Sequence, residues 1–401
     1  MDKLDQIFDS YVASNLFKNK SVLQSSYSPE IILHRATQIE NIASILGPTL
    51  LGERASNIFL YGKTGTGKTL SAKFIGDKLE SKVKSAGKSH LKFIYINCKS
   101  KKVSDTEYRI IAELIAQLGG KVPTTGLPTD AVYSKFIDMI DSKKQIVVLV
   151  LDEIDQAVKK ISDTFIYTLT RLNSELKNAQ ISLVGISNSL TFMDNLDPRV
   201  RSSLGEEEII FAPYNALQLR DILTERAKAA FNDDILEEGV IAKCAAYAAR
   251  EHGDARRALD LLRVAGEIAV REGETKVKLA HIDAANQKIE KDKMLDIIES
   301  EPAQFQLVLY SIMALDKDKK YGTIFTGDVY NIYQEICEKT RNEVLTQRRV
   351  SDILGEFDML GLINARVISK GRQGRTREIK LSLSPNIKER AEDILKKALG
   401  L

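Results

Sequence analysis

The sequence is poor in several residue types, and each shortage excludes a class of protein. Its 401 residues contain no tryptophan, eight prolines and three cysteines. The cysteines, Cys98, Cys244 and Cys337, lie far apart and form no CxxC or Cys/His spacing, which excludes a zinc knuckle and leaves no disulfide framework. The longest aliphatic run spans residues 146–151, which is far short of the about 20 residues that a membrane span needs.

The N-terminal sequence MDKLDQIFDS carries acidic residues and lacks the basic and apolar segments of an export signal. We therefore expect a cytoplasmic protein with no membrane partner. A composition of 43% hydrophobic and 28% charged residues, with 23 glycines, is typical of a folded, helix-rich protein and excludes a disordered or collagen-like chain. The net charge of +3 does not indicate nucleic-acid binding, so any basic surface must be local.

The chain length suits two or three domains, and the hydrophobic pattern changes along it. From residue 57 to residue 211, short apolar runs alternate with amphipathic stretches, which predicts an α/β fold with a parallel sheet and helices on both faces. The expected strands are 57–61, 92–98, 145–151, 181–187 and 208–211. The expected helices are 29–46, 68–85, 105–118, 129–140 and 163–177.

After residue 213 the strand pattern stops, and a high content of Ala, Leu, Glu and Lys predicts a second, all-helical domain with helices at 216–231, 238–251, 255–271 and 280–298. Pro302, placed where a new helix starts, indicates the next boundary. Beyond it we expect helices at 304–315, 327–339 and 347–360, and then a hairpin of strands 362–369 and 376–383. We therefore predict domains over residues 1–208, 209–300 and 301–401.

The sequence GKTGTGKT matches the phosphate-loop pattern G-x-x-x-x-G-K-[ST], between a predicted strand and a predicted helix. In such a loop the backbone of Gly65, Thr66 and Gly67 turns N–H groups towards a β-phosphate, and the positive end of the helix dipole adds to the attraction. Lys68 would reach the β- and γ-phosphates, and the Thr69 hydroxyl would hold Mg²⁺. Because motif and context agree, we predict a site for ATP or ADP rather than a chance glycine-rich turn.

Polar residues follow two of the predicted strands and fit this site. Asp152 and Glu153 follow the central apolar strand; Asp152 would bind Mg²⁺ through water, and Glu153 would polarise the attacking water. Asn188 follows the next strand, where its side chain would contact the γ-phosphate or the water, although a strand-end asparagine is also a common turn residue. We interpret Asp155 as a local helix cap.

The C-terminal order of three helices and a hairpin is the layout of a winged helix, whose third helix enters a DNA major groove. Thr346 is a good N-cap for that helix, and Gln347, Arg348 and Arg349 in its first turn would contact bases. Residues 366–380 carry six basic side chains and one acidic one, a local charge of +5 that suits phosphates and a minor groove. A solvated edge hairpin is the alternative. The hairpin residues that we expect to contact DNA are Arg366, Lys370, Arg372, Arg375 and Arg377.

The order of these motifs resembles that of the AAA+ ATPases, and more narrowly that of the archaeal replication-initiator family related to the eukaryotic Orc and Cdc proteins. The resemblance covers nearly the whole chain. Its phosphate motifs are shared by many ATPases, whereas DPRVRSSL, YNALQLRDIL and the C-terminal domain are more specific. The segments that carry the resemblance are YSPEIILHRATQIENI (27–42), YGKTGTGKT (61–69), LVLDEID (149–155), ISN (186–188), DPRVRSSL (197–204), FAPYNALQLRDIL (211–223) and GDARRALDLL (253–262).

The resemblance implies an AAA+ nucleotide-binding domain, a helical lid and a C-terminal winged helix, and it assigns further residues to the nucleotide. Arg256 in GDAR would reach back from the lid to the phosphates and couple the lid angle to the nucleotide state. Tyr214 and Arg226 would line the nucleotide, and Arg35 would lie near the adenine. An ordinary surface ion pair is the alternative for each of these arginines.

Two further groups would act on partners. The resemblance implies that Arg199 or Arg201 points towards the nucleotide of a neighbouring subunit. Between Asp152 and Asn188 the chain has room for a full helix and a short extra one, which contacts DNA in the initiators. Its basic candidates are Lys159, Lys160 and Arg171, for which a solvated helix face is an equal alternative.

The resemblance implies a DNA-binding protein that recognises double-stranded replication origins, initiates DNA replication and helps to load the replicative helicase, beside a paralogous initiator. Family members hold ADP tightly and hydrolyse ATP slowly, so we expect an ATPase that acts as a switch in the cytoplasm, at the nucleoid. A clamp loader is one alternative, against which the basic winged hairpin argues. An ATP-regulated winged-helix transcription factor remains open, and a signalling ATPase would have a longer sensor or repeat region.

Overall fold

The computed structural model describes residues 15–100, 106–123, 126–204, 206–317, 323–369 and 375–401. The chain forms two compact units, of which the first ends at Ile282 and the second begins at Asp283. In these residue ranges, no helix is both long enough and apolar enough to cross a membrane. The division into three domains near residues 208 and 300 remains a prediction.

The first unit is built on a parallel sheet, as the sequence predicts. Its strands are β1 (Asn57–Tyr61), β2 (Leu91–Asn97), β3 (Gln145–Asp152), β4 (Ala179–Ser187) and β5 (Glu206–Ile210). They lie in the order β2-β3-β4-β1-β5, and β1 and β3 are buried along their whole length because helices cover both faces. The edge strand β5 begins two residues before its predicted start, since an edge strand tolerates glutamates that an apolar pattern leaves out.

Helices pack on both faces of this sheet. They are α1 (Ala36–Leu46), α2 (Lys68–Ser85), α3 (Glu107–Gln117), α4 (Thr129–Asp141), α5 (Ile154–Lys160), α6 (Thr164–Arg171) and α7 (Pro198–Leu204). Phe59 of β1 belongs to a hydrophobic core with residues of α3, α4 and α6, whereas its neighbours Ile58 and Leu60 belong to a core with residues of α1 and α2. This alternation is the period of two that a strand buried on both faces requires.

Two helix predictions in this part of the chain need correction, and one helix was not predicted. The helix expected from residue 29 begins only at Ala36, because His34 has a φ of 58°, a left-handed conformation that no α-helix contains. The helix expected over residues 163–177 ends at Arg171, and the chain continues as the 3₁₀ turn Leu172–Ser174. The short helix α7 was not predicted, because seven residues are too few to give a clear period.

The helices that follow the sheet in the first unit are α8 (Ala216–Ala230), α9 (Val240–Arg250) and α10 (Ala255–Arg271), and α11 (Leu279–Ser300) begins there. A capping box of Asn215 and Gln218 starts α8, and the Asp254 carboxylate accepts two N–H groups in the first turn of α10. Phe17 stacks on Phe231 with ring centroids 4.7 Å apart, so the segment that precedes the sheet packs on these helices.

The second unit contains the rest of α11 and the elements of a winged helix. These are α12 (Ala303–Lys317), β6 (Ile324–Phe325), α13 (Thr326–Thr340), α14 (Gln347–Met359), β7 (Ile363–Ser369), β8 (Arg375–Leu381) and α15 (Pro385–Leu399). The three helices and the hairpin are confirmed. Two additions were not predicted: β6 extends the antiparallel hairpin to the order β6-β8-β7, and α15 packs Ala391 and Leu395 into the core beside Val350 and Phe357 of α14.

Candidate functional site

The phosphate loop lies between β1 and α2, and two of its glycines adopt left-handed backbone angles. Gly65 has a φ of 68° and Gly67 a φ of 93°. A side chain at Gly65 would place its Cβ 1.7 Å from Asp254 Oδ1, and one at Gly67 would place its Cβ 2.9 Å from Tyr214 Oη. Glycine is therefore required at both positions. The loop leads directly into the N-terminus of α2, where free N–H groups and the helix dipole favour an anion.

The Lys68 side chain lies inside this loop and is 5% exposed. Its Nζ donates hydrogen bonds to the carbonyl oxygens of Gly62 at 2.6 Å and Lys63 at 2.8 Å, and to Asn188 Oδ1 at 3.0 Å. Burial is the main cause that lowers the pKa of Lys68 to about 8, and the nearby Arg256 cation acts in the same direction. Two cations that converge on a glycine loop fit a phosphate group, whose charge would relieve their repulsion.

The Asp152 carboxylate, at the end of β3, is fixed by three hydrogen bonds. Thr69 Oγ1 donates to Oδ2 at 2.8 Å, the Tyr95 hydroxyl donates to the same oxygen at 2.6 Å, and the Glu153 N–H donates to Oδ1 at 2.9 Å. A threonine hydroxyl beside a carboxylate that is 4% exposed offers the hard oxygen donors that fit Mg²⁺. Tyr95 was not singled out from the sequence, although its place near the end of β2, the neighbour of β3, was a usable signal.

The other predicted catalytic residues surround the same loop. Glu153 has a φ of 55° at the start of α5, and its Oε2 lies 3.8 Å from Lys99 Nζ. Asn188 follows β4 and accepts a hydrogen bond from the phosphate-loop lysine. The prediction that Asp155 caps a helix is wrong: it lies within the first turn of α5, and its buried carboxylate accepts from the Ser187 hydroxyl and the Asn188 N–H, both at 3.3 Å. Asp155 therefore fixes the end of β4.

Arg35 lies against the backbone of the phosphate loop. Its Nε donates to the Thr66 carbonyl oxygen at 2.8 Å, and its Nη2 donates to the Ala212 carbonyl oxygen at 2.5 Å. The guanidinium stacks 3.9 Å from the centroid of the Tyr214 ring. Burial lowers the pKa of Arg35, which is 4% exposed. The two residues that the resemblance assigns to the nucleotide thus form one buried pair that joins the segment before α1 to the phosphate loop.

A cavity of about 670 Å³ borders the phosphate loop and has the size of a small-molecule site. Arg226 lines the cavity and contacts two other lining residues. Its Nη1 donates to the Val22 carbonyl oxygen at 3.1 Å, and its guanidinium stacks 4.5 Å from the centroid of the Tyr27 ring. Arg256, in the first turn of α10, lines the same cavity and is exposed. Among the described residues no carboxylate pairs with the Arg256 guanidinium, which leaves it available to an anionic ligand.

The two arginines predicted to act in trans lie on α7. Arg199 Nε is 3.1 Å from Asp197 Oδ1, and the arginine side chain is 85% exposed. Arg201 Nη1 is 3.6 Å from Asp194 Oδ1. Both make ion pairs within the chain, and a role towards a neighbouring subunit stays a prediction.

The basic residues of the short helices after β3 are also at the surface. Lys159 and Lys160 are exposed at the end of α5, and Arg171 is exposed at the end of α6. Arg171 stacks against the Tyr167 ring with its guanidinium 5.3 Å from the centroid. Their contact with DNA stays a prediction, as does the alternative of a solvated face.

The first turn of α14 exposes the residues that we expect to contact bases. The Thr346 hydroxyl caps the helix by accepting from the Arg349 N–H at 3.4 Å. Gln347, Arg348 and Arg349 are exposed, whereas Val350 begins the buried face of the helix. The three residues that we expect to contact bases are therefore exposed on the helix, as that role requires.

The hairpin of β7 and β8 is the wing of the winged helix, and its arginines differ in their contacts. Arg366 on β7 is exposed and lies opposite Glu378 in the strand register. Arg377 on β8 instead donates from Nη1 to the Ser351 carbonyl oxygen of α14, and its N–H donates to Thr326 Oγ1 at 3.3 Å. Arg377 therefore attaches the strand β8 to α14, and its contact with DNA stays a prediction.

Three further residues of the hairpin carry predicted DNA contacts. Lys370 and Arg372 lie outside the described residues. Arg375 begins β8. Their contact with DNA remains a prediction from the local charge.

A phosphate loop in a parallel sheet of order β2-β3-β4-β1-β5, followed by a helical bundle and a winged helix, defines an AAA+ ATPase with a DNA-binding type of C-terminal domain. Family models agree: residues 52–193 match the AAA domain, 220–287 the Cdc6 AAA+ ATPase-type lid domain, and 296–391 the CDC6 C-terminal winged helix domain. The AAA domain is a nucleotide-binding fold.

Comparison with individual relatives identifies the family to which the chain belongs within this class. The chain is 52% identical over 387 residues to the ORC1-type DNA replication protein of Thermococcus onnurineus, covering 95% of this chain and 92% of the relative. It is 49% identical to the ORC1-type DNA replication protein 1 of Archaeoglobus fulgidus, over 98% of this chain and 93% of the relative. The solved structure of the Aeropyrum pernix ORC1 protein in complex with DNA matches with a TM-score of 0.83 and 43% identity, over 96% of this chain and 97% of that one. The chain belongs to the family of archaeal ORC1-type DNA replication proteins, which confirms the resemblance drawn from its motifs.

Proposed function

We propose that the protein is a replication initiator that recognises double-stranded origin DNA and helps to load the replicative helicase, under the control of a bound nucleotide. The observation that carries this proposal is the exposed first turn of α14, with Gln347, Arg348 and Arg349, in a family member whose relative from Aeropyrum pernix was solved with DNA. A helix presented in this way fits a major groove.

Affinity and specificity for DNA would come from different residues of the second unit. The exposed Arg366, together with the basic residues of the wing, would bind phosphates and so act equally on all sequences. Arg348 and Arg349 at the start of α14 would donate to base edges, guanine above all, and so select the sequence. Arg377 would hold the wing in a fixed position against α14, since its guanidinium donates a hydrogen bond to the Ser351 carbonyl oxygen.

The nucleotide would be ATP or ADP with Mg²⁺. Lys68 and Arg256 would bind the β- and γ-phosphates, and Thr69 and Asp152 would hold the metal ion. When bound, Mg²⁺ supplies positive charge that neutralises phosphate oxygens. These residues fit such a ligand because two cations and two oxygen donors lie beside a loop that only glycine can form.

Hydrolysis would be slow and would serve as a switch. Glu153 would orient and deprotonate a water molecule, and Asn188 would hold the γ-phosphate or that water. One oxygen of Glu153 lies 3.8 Å from Nζ of the exposed Lys99, an ion pair that would compete with a water molecule for this carboxylate. Arg256, at the start of α10, would make the position of the lid depend on whether the γ-phosphate is present.

The proposed partners follow from the same family membership. A paralogous initiator beside the protein on DNA would receive Arg199 or Arg201, which are exposed on α7. The proposed location is the nucleoid of the cytoplasm, because origin DNA and the helicase are there.

Mapping the genomic sites that the protein occupies in its own organism tests the proposed function. We expect these sites to coincide with replication start sites, and we expect depletion of the protein to reduce helicase recruitment there. A double variant with Arg348→Ala and Arg349→Ala is the control, because it keeps the nucleotide site and removes the base contacts. Occupancy confined to promoters, with transcription and not replication changed on depletion, would contradict the proposal and favour the transcription factor.

A further inference from the structure

Tyr95 makes a hydrogen bond that the nucleotide-binding motifs do not account for. Its hydroxyl donates to Asp152 Oδ2 at 2.6 Å, and the same oxygen accepts from Thr69 Oγ1 at 2.8 Å. The other oxygen, Oδ1, accepts from the Glu153 N–H at 2.9 Å. A carboxylate has about four lone-pair positions for hydrogen bonds, so these donors leave one position, on Oδ1, for a further partner.

The tyrosine is held in place and stays protonated. A tyrosine hydroxyl is protonated at neutral pH, so that of Tyr95 acts as a hydrogen-bond donor to Asp152. Lys73 Nζ lies 3.9 Å from the centroid of the Tyr95 ring, and Lys73 is one turn after Thr69 on α2. This cation–π contact fixes the ring between β2 and the helix that carries the threonine.

We propose that Tyr95 is a positioning residue for the Mg²⁺ that accompanies the nucleotide. By donating to Oδ2, the tyrosine holds the Asp152 carboxylate in one orientation, so that the remaining lone pair of Oδ1 would be available to a water molecule on the metal ion. Partners of this kind orient metal-site ligands, and their loss weakens metal binding. The inference rests on the proposed nucleotide site and adds to it a residue on β2, outside both phosphate motifs.

The variant Tyr95→Phe removes the hydroxyl and keeps the ring, its volume and its contact with Lys73. The test titrates Mg²⁺ into the full-length protein with a fluorescent ADP analogue, from a chelator-containing buffer to saturating metal. We expect the Mg²⁺ concentration at half-maximal binding to rise by up to about 10-fold, the lower end of the effect seen for such outer partners. The affinity for the analogue at saturating Mg²⁺ should return to that of the wild type, because the phosphate contacts of Lys68 are unchanged.

Tyr133 supplies a matched control. Its hydroxyl donates to Glu107 Oε1 in the same unit, so Tyr133→Phe also removes a tyrosine–carboxylate hydrogen bond, and neither residue lines the cavity at the phosphate loop. We expect this variant to leave the Mg²⁺ midpoint unchanged. Thermal unfolding of both variants without nucleotide reports any general loss of stability.

Three results would overturn the inference. The first is an Mg²⁺ midpoint for Tyr95→Phe equal to that of the wild type, and the second is an equal shift in Tyr133→Phe. The third is a loss of affinity that persists at saturating Mg²⁺, which would make Tyr95 a nucleotide contact or a structural residue. The proposed nucleotide site fails separately, and this inference with it, if the wild-type protein does not bind the ADP analogue at any Mg²⁺ concentration.

Discussion

The Asp254 carboxylate lies directly against the phosphate loop, where its Oδ2 accepts a hydrogen bond from Thr64 Oγ1 at 3.3 Å. The same side chain caps α10, and the Ala255 N–H that follows donates to the Gly65 carbonyl oxygen at 3.2 Å. Hydrogen bonds therefore join the start of α10 to the phosphate loop. Because Arg256 is the next residue, its position depends on this contact.

We expect Asp254→Ala to lower the free energy of unfolding by about 1 kcal/mol, the usual cost of a lost N-cap. Asparagine caps helices as well as aspartate does, so Asp254→Asn should retain most of that stability. Denaturant unfolding of the two variants and the wild type, without nucleotide, measures the difference. An equal loss in both variants would show that the charge beside the phosphate loop, and not the cap, is what stabilises this contact.

Lys68→Ala should abolish binding of ATP, because the variant lacks the buried cation that would face the phosphates. Lys82→Ala is the matched control: Lys82 is exposed on the same helix, α2, and does not line the cavity. Equilibrium binding of labelled ATP separates the two. Wild-type affinity in Lys68→Ala would refute the phosphate-loop assignment, and a similar loss in Lys82→Ala would point to damage of the helix.

The sequence was most informative where a local signal marks the end of an element. Strand 57–61 and helices 68–85 and 255–271 were predicted with their observed ends. In the structure a glycine turn follows the strand, and Asp254 caps helix 255–271. The helix α15 was missed although Ala391 and Leu395 recur at helical spacing. The prediction from the sequence ends with the hairpin, because three helices and a hairpin already complete a winged helix.

The candidate site, too, was predicted only where its residues belong to local sequence motifs. Lys68, Thr69 and Asp152 belong to linear motifs, and the structure brings them together as expected. The contacts of Tyr95 with Asp152, and of Arg35 with Thr66, join residues far apart in sequence, so no local pattern predicts them. Such contacts depend on the order of strands in the sheet and on the fold of the segment before α1.

The lowered pKa of Lys68 predicts a pH dependence of stability. Its ordinary value of 10.5 falls to about 8 in the folded protein, so between these pH values the unfolded chain holds a proton that the folded chain has released. The contribution of Lys68 to the free energy of unfolding should therefore rise with pH across this window and be constant below it. Denaturant unfolding of the wild type and of Lys68→Met, measured from neutral pH upwards, isolates the contribution. Parallel pH profiles for the two proteins would contradict it.

Nucleotide binding should show the opposite trend. A phosphate beside Lys68 favours its charged form, so binding above pH 8 requires the uptake of a proton, and affinity for ATP should fall as the pH rises through this value. Titration calorimetry in buffers of different ionisation enthalpy measures the proton uptake directly. The prediction fails if no proton is taken up above that pH.

Arg366 and Arg377 should give different DNA-binding defects although both are arginines of the wing. Arg366→Ala removes an exposed cation; it should weaken binding equally for all sequences and reduce the salt slope by about 1, with no change in melting temperature. Arg377→Ala breaks the bond to Ser351 and should lower the melting temperature. Fluorescence anisotropy at several salt concentrations, with thermal unfolding, compares them. If Arg377→Ala gives the same slope change at an unaltered melting temperature, Arg377 contacts phosphate directly.

Arg348→Ala should change which sequences are bound more than how tightly DNA is bound. Arg348 is exposed in the first turn of α14, where a bidentate contact to guanine is worth about 1–3 kcal/mol of discrimination. Arg390→Ala, at an exposed position of α15, removes the same charge and is the control. Selection of binding sites from a random DNA library, repeated with each variant, reports the preferred bases. We expect one or two positions of the site to lose their preference in Arg348→Ala alone, and identical base preferences in all three proteins would show that α14 does not contact bases through this residue.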